Sequence, residues 1–272
     1  MKEPLLTTVA RAITEVAALE VMPRWRNLGS GDVAEKTGPD DLVTVADKSA
    51  EIALTKRLTA LLPGSGVVGE EAVAADPAVM ERLSRPGLVW VIDPIDGTAA
   101  FAAGEPNFTL MVALVEDRQP KAGWILAPAL DRFAFGAPGL GVWLGRADDT
   151  GAPIAPPSVP TSLDAMTGLL GKRNITEARR SEIKAKENHF KALDGVTFAG
   201  IDYMRLAQGE VHFALYSKCE PWDHLPGLAL VSALGFEHAR HDGRPYLPHA
   251  PAGGLLVAPK GRLEPIRKVL LA

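Results

Sequence analysis

The 272 residues carry 29 Lys and Arg against 33 Asp and Glu, a net charge of −4. With no basic block, the chain is a poor fit for nucleic acid or an anionic membrane surface. Nearly half the residues (47%) are hydrophobic and Cys219 is the single cysteine, so the composition points to a globular unit without an internal disulfide.

The N-terminal "MKEPLLTTVARAITEV" lacks the apolar core of a signal peptide, and no run approaches the roughly 18 apolar residues of a membrane span. The expected location is the cytoplasm. Leu5, Leu6, Val9, Ala12, Ile13, Val16 and Leu19 recur at helical spacing and predict an opening amphipathic helix. Residues 29–41, "GSGDVAEKTGPDD", read as a mobile loop. Thr44 to Asp47 has the [ST]-x-x-[DE] form of a helix start. In the helix that follows, Ala50, Ala53, Leu54, Leu58, Leu61 and Leu62 line one face before Pro63-Gly64 ends it.

Short apolar runs come next: Val67-Val68, 88–92, 107–115, 121–127, 132–135 and 140–144. Turn residues separate them, so they predict a sheet of mostly sequential antiparallel strands. Trp90, Trp124 and Trp143 lie in these runs and are expected in the core. Proline-rich residues 147–162 read as a connector between an N-terminal half (1–146) and a C-terminal half (163–272) of one unit. In the second half, "TEARRSEIKAKENHF" predicts a charged exposed helix. Helices are also expected at 202–208, 223–234 and 262–271, with strands at 211–216 and "GLLVAP". Helices before, between and after strands imply a layered α+β or α/β arrangement.

Four acidic places flank apolar runs: Asp47, Glu70 and Glu71 in "VVGEE", Asp93 and Asp96 in "DPIDGT", and Asp223 in "PWDHLPG". Two carboxylates at the end of a buried strand are costly unless something neutralises them. Pro94 holds Asp93 extended, and the turn between the acids lets both side chains and the Ile95 carbonyl face one point. Gly97 permits positive φ, and a helix starting near Thr98 would expose N–H groups to an anion. Hard oxygen ligands beside phosphate donors suit Mg²⁺. Taken alone, D-P-x-D-G is usually only a turn, and each of the other acids is more often a helix cap or a surface charge. Their conjunction favours the metal reading.

On "DLVTVADKSAE" (41–51), "VVGEE" (67–71), "WVIDPIDGTAAF" (90–101) and "PWDHLPGLALVSALG" (221–235), the chain resembles the inositol monophosphatase family of Mg²⁺-dependent, lithium-sensitive phosphatases. The resemblance implies a layered αβαβα sandwich, commonly a homodimer, with two or three Mg²⁺ per site. It implies that Glu70, Asp93 and the Ile95 backbone carbonyl bind one ion, and that Asp93 bridges to a second held by Asp96 and Asp223. It assigns phosphate to the Gly97 and Thr98 N–H groups. The attacking water falls to Glu70 and Thr98, with Asp47 orienting Thr98. Glu71 is expected beside the ligands, and Lys36 in a mobile loop over them.

The substrate side departs from the pattern. Tyr216 stands where inositol phosphatases place a Glu that contacts the ring hydroxyls, with Lys218 nearby; Ala199 is expected beside the substrate, and Ala100 replaces a frequent Asn. The leading expectation is hydrolysis of a small inositol-1-phosphate-like ester. Histidinol phosphate, a 3′-phosphoadenosine nucleotide and fructose-1,6-bisphosphate are alternatives within the class, and a non-catalytic metal- or phosphate-binding regulator is the alternative outside it. "GSGVVG" is set aside as a dinucleotide fingerprint because a helix, not a strand, precedes it. His238 and His241 are expected in an exposed turn, and His224 at the surface or capping a helix, with a supporting place behind Asp223 as the alternative. Cys219 has no evident activating base.

Overall fold

The computed structural model describes residues 3–38, 41–146, 152–171 and 177–271. The chain opens with α1 (Glu3–Val16), then an antiparallel ribbon of β1 (Val33–Gly38) and β2 (Asp41–Thr44), then α2 (Val45–Leu61). It continues through β3 (Gly66–Gly69), α3 (Glu70–Ala75), β4 (Leu88–Asp96), α4 (Thr98–Ala102), β5 (Thr109–Glu116), β6 (Gln119–Ala127), β7 (Arg132–Ala137), β8 (Gly141–Gly145) and β9 (Ala152–Ile154). The rest is β10 (Thr167–Leu170), α5 (Glu177–Lys184), β11 (Ala192–Gly195), α6 (Ala199–Gln208), β12 (Phe213–Tyr216), α7 (Pro221–Ala233), β13 (Phe236–Arg240), β14 (Leu255–Pro259) and α8 (Leu263–Leu271).

β3 to β9 form a seven-stranded sheet in sequence order. Its pairs are antiparallel, as expected, except β3 with β4, which α3 and a 3₁₀ turn join in parallel. A five-stranded sheet has the order β11-β10-β12-β14-β13.

The period-two alternation of strands assigns the layers. Trp90, Ile92, Leu110, Val112 and Trp124 share one core with α1 and α2. Val89, Val91, Met111, Ala113 and Ile125 point the other way and meet α6 and α7. Tyr216, Leu255 and Val257 of the second sheet close that same core. The opposite face of this sheet, with Phe213, Leu215 and Leu256, packs on Ile183 of α5 and on Ile266 and Leu270 of α8. The result is the αβαβα sandwich. α7 lies so close to the first sheet that a Cβ at Gly123 of β6 would overlap the Pro226 backbone.

Several expectations need correction. Residues 29–41 are not simply a loop: Val33 pairs with Thr44, and "DLVT" supplies the partner strand for "VAEKTG". Pro39 and Asp40 lie outside the described residues. Leu19 is 61% exposed rather than on the buried face. The helix widens into a π turn at Ala17–Val21, which rotates the apolar face and buries Val21 instead. Within the connector, Ala152–Ile154 pairs with β8 as an edge strand; residues 147–151 are outside the description. The charged helix buries Ile183, and Phe190 beyond it is also buried; Thr176 is outside the description. His238 sits in β13, half-buried and 6.4 Å from the Tyr246 ring, not in an exposed turn. Trp90 and Trp124 are fully buried, while Trp143 is partly buried and stacks on Phe135.

Candidate active site

At the end of β4 the pairing with β5 shifts register between Asp93 and Asp96, where Pro94 has no N–H to give the ladder. The bulge brings the two acids to one side. Asp223, in the first turn of α7 after Pro221, comes from the opposite layer to meet them. Carboxylate oxygens of Asp93, Asp96 and Asp223 lie within 4.8 Å of one another. Asp93 is buried, and its Oδ1 has no hydrogen-bond partner among the described residues. Burial, followed by the charges of Glu70, Asp96 and Asp223, holds the Asp93 carboxyl well above the usual range. Burial and then Asp96 do the same to Asp223. A buried carboxylate oxygen without a partner among the described residues, in a set of oxygen donors, fits a hard divalent cation.

Gly97 adopts φ +91° and opens α4. A side chain there would also meet the Asn107 carbonyl at 3.0 Å and the Phe198 ring at 3.1 Å, so the position demands glycine twice over. The Thr98 hydroxyl lies 3.1 Å from Asp47 Oδ1 and 3.0 Å from the Ile95 carbonyl. It has one proton for these two acceptors and keeps lone pairs for an incoming donor.

Asp47 belongs to the capping box of α2. Its Oδ2 accepts from Thr44 N (2.8 Å) and Thr44 Oγ1 (2.5 Å), and Thr44 Oγ1 accepts in turn from Ala46 N. The expected helix start is therefore also what aims Asp47 at Thr98. Burial pushes the Asp47 carboxyl up to about 6. One turn further, Glu51 accepts from Glu71 N (2.8 Å) and Ala72 N (2.9 Å). Lys36, on β1, places its ammonium 2.8 Å from Glu70 Oε1 and 2.5 Å from Glu71 Oε1. Burial lowers its pKa, but the two glutamates outweigh that and raise it overall. Glu71 thus lies beside the acidic group through Lys36.

Asp96 is held by the start of α6. Its Oδ2 accepts from Gly200 N at 2.7 Å and Thr109 Oγ1 at 3.3 Å. A Cβ on Gly200 would clash with Thr109, so that close approach needs glycine. Burial first, opposed by these donors, leaves the Asp96 carboxyl at about 6. Asp202 ties the same turn, accepting from Thr197 N at 3.1 and 3.2 Å, and burial pushes its carboxyl up to about 7. The folded value lies above the unfolded one. The Asp202 contribution to stability is therefore complete below the unfolded pKa and lost as pH rises through about 7. Asp202→Asn removes this dependence. In urea melts between about pH 5 and about pH 8, the variant gains on the wild type as pH rises, by at most about 1.4 kcal/mol per pH unit. Parallel pH profiles for the two proteins would contradict this.

A cavity of about 360 Å³ opens from Asp96 and Asp223 toward the second sheet, lined by Leu170, Val196, Phe198, Ala199, Tyr216 and Lys218 among others. A larger one, about 670 Å³, runs from Asp223 and Lys218 past Glu70 and Lys36. Ala199 and Tyr216 therefore border the acidic group, and exposed Lys218 stands between the two cavities. Tyr216 is 5% exposed, and its ring lies 5.8 Å from Tyr203 and 4.6 Å from His224.

His224 corrects an expectation: it is buried, neither at the surface nor capping a helix. Its Nε2 donates to the Lys218 carbonyl (3.1 Å), and its Nδ1 accepts from Tyr203 OH (3.0 Å). Burial keeps it neutral, with its pKa lowered to about 3. Cys219 is buried and its thiol is raised by burial, as for an inert cysteine. Sequence reasoning missed Glu51, Asp202 and Gly200. Only Glu51 left a trace, four residues after Asp47 and so on the same helical face.

A model of the inositol monophosphatase family matches residues 2–269. The chain belongs to that family. An inositol-1-monophosphatase of Bacillus subtilis is 26% identical, with 79% of this chain and 78% of the relative covered. A histidinol-phosphatase of Streptomyces coelicolor is 28% identical, covering 94% of this chain and 92% of its own. A solved IMPase/NADP phosphatase complexed with Mg²⁺ and phosphate superposes with a TM-score of 0.79 at 18% identity, over 99% of this chain and 95% of the other. Inositol monophosphatase family members are metal-dependent phosphatases that hydrolyse phosphate monoesters, and this chain is an enzyme of that class. No helix among the described residues is long and apolar enough to cross a membrane.

Proposed function

We propose that the protein is a Mg²⁺-dependent phosphomonoesterase acting on a small soluble phosphate ester. The observation that carries this reading is the meeting of Asp93, Asp96 and Asp223, with one Asp93 oxygen buried and unpartnered. Glu70, Asp93, the Ile95 carbonyl, Asp96 and Asp223 would hold Mg²⁺. Mg²⁺ held there would supply charge screening of the phosphate dianion and a lowered pKa for a water.

The chain's own groups do the remaining work. Thr98 Oγ1 accepts a hydrogen bond from the attacking water and directs its own proton to Asp47, which the Thr44 cap keeps in place. Glu70 orients the same water. The N–H groups of Gly97 and Thr98, at the start of α4, donate to phosphate oxygens. The leaving group then faces Ala199, Tyr216 and Lys218.

The substrate-side wall favours a second reading beside an inositol phosphate. An aromatic wall of Tyr216, backed by Tyr203 and His224, replaces a carboxylate suited to a polyol and suits a planar ring such as that of histidinol phosphate. The test is phosphate release from inositol monophosphate, histidinol phosphate, fructose bisphosphate and adenosine bisphosphate with Mg²⁺, each repeated with EDTA and with Li⁺. Turnover abolished by EDTA is expected. Preference for histidinol phosphate over inositol monophosphate would establish the second reading. No release from any ester would favour a non-catalytic binding role, and activity undiminished by EDTA would overturn the metal reading.

A further inference from the structure

Glu51 is buried on α2, and its carboxylate is spent entirely on another element. α3 begins at Glu70 immediately after Gly69, which offers no side-chain cap. The N–H groups of its first turn would otherwise lack partners. Glu51 takes two of them, Glu71 N at 2.8 Å and Ala72 N at 2.9 Å, one on each oxygen. The fit is close: a Cβ at Gly69 would overlap the Glu51 carboxylate. Glu70 lies between Gly69 and Glu71, so both of its flanks are fixed by this one group.

Asp47 and Glu51 are one helical turn apart on the same face of α2. Asp47 reaches Thr98, and Glu51 reaches the turn that carries Glu70. We propose that Glu51 is a positioning residue for the metal site, holding Glu70 at a set distance from Thr98 and Asp93 through the rigid α2. The proposal rests on the phosphatase reading above. It also explains the choice of acid at 51. Two converging N–H donors need two acceptor oxygens, whereas a glutamine offers one oxygen and turns an NH₂ toward the second donor. A plain stability element would need only an acceptor and would leave the affinity of the site for cations unchanged.

Glu51→Gln keeps the volume and loses one of the two bonds; Glu51→Asp keeps the charge and shortens the reach. Both are compared with the wild type by steady-state kinetics over a Mg²⁺ series. Mn²⁺ binding to the ester-free proteins is followed by electron paramagnetic resonance, and melting is measured in EDTA. The expected result is a rise of about tenfold or more in half-saturating Mg²⁺, matched by weaker Mn²⁺ binding, with kcat lowered and KM at saturating Mg²⁺ changed by less than about twofold. Folded variants that bind Mn²⁺ as the wild type does would overturn the proposal, as would rate losses that only follow the folded fraction. Melting of both variants below the assay temperature would make Glu51 a stability element and also overturn it. A wild type that neither binds Mn²⁺ nor releases phosphate would instead sink the phosphatase reading.

Discussion

Asp93→Asn lowers kcat/KM by about 10³-fold or more, because it takes the central negative oxygen out of the acidic group. Asp93 sits deepest at the bulge of β4, buried, with Glu70, Asp96 and Asp223 around it and Oδ1 unpartnered. An amide of the same shape keeps the packing and loses the charge. Stability moves the other way. Without metal, the wild-type carboxyl is held well above its ordinary pKa by burial and neighbouring acids, so the neutral amide relieves a cost. Melting in EDTA is therefore expected at the wild-type temperature or above it, while phosphate release is lost. Turnover within about tenfold of wild type would remove Asp93 from the centre of the mechanism.

Asp47→Asn acts on two elements at once. Asp47 Oδ2 receives both donors of Thr44, and Oδ1 receives the Thr98 hydroxyl. An asparagine has one acceptor oxygen, so either the cap or Thr98 then faces an NH₂ group. The expected outcome is a fall in kcat of about 10² to 10³ with KM little changed. A loss of stability of about 1–2 kcal/mol accompanies it, from the damaged cap. Urea titration and steady-state kinetics separate the two effects. Thr98→Ser retains the hydroxyl and should keep most activity, whereas Thr98→Ala should follow Asp47→Asn. An Asp47→Asn enzyme with intact kcat would exclude the pair from handling the water.

The meeting of Asp93, Asp96 and Asp223 was legible because these acids sit at local signals. "DPIDGT" is a strand end interrupted by proline, "TVAD" is a capping box, and Asp223 follows the Pro221 helix start. Such signals are written within a few residues. What could not be read depends on distant partners. Glu51 looks like any exposed helical acid until Glu71 and Ala72 arrive. His224 reads as polar and surface-seeking until Tyr203 and the Lys218 carbonyl satisfy both its nitrogens. β10, β11 and β13 are only four or five residues long, and β1 needs "DLVT" across a turn to become a strand. Short strands are defined by pairing more than by composition.

The contact between Gly123 and Pro226 sets a gauge for the whole centre. Asp93 and Asp96 ride on the first sheet, and Asp223 rides on the helix seated against it. No side chain fits between the layers at Gly123, so this contact helps to set the gap across which these acids face one another. The wall bearing Tyr216 belongs to a different sheet and meets the same helix through the softer contact of its ring with His224. A substitution at residue 123, which bears no functional group, is therefore expected to shift Asp223 against Asp93 and Asp96.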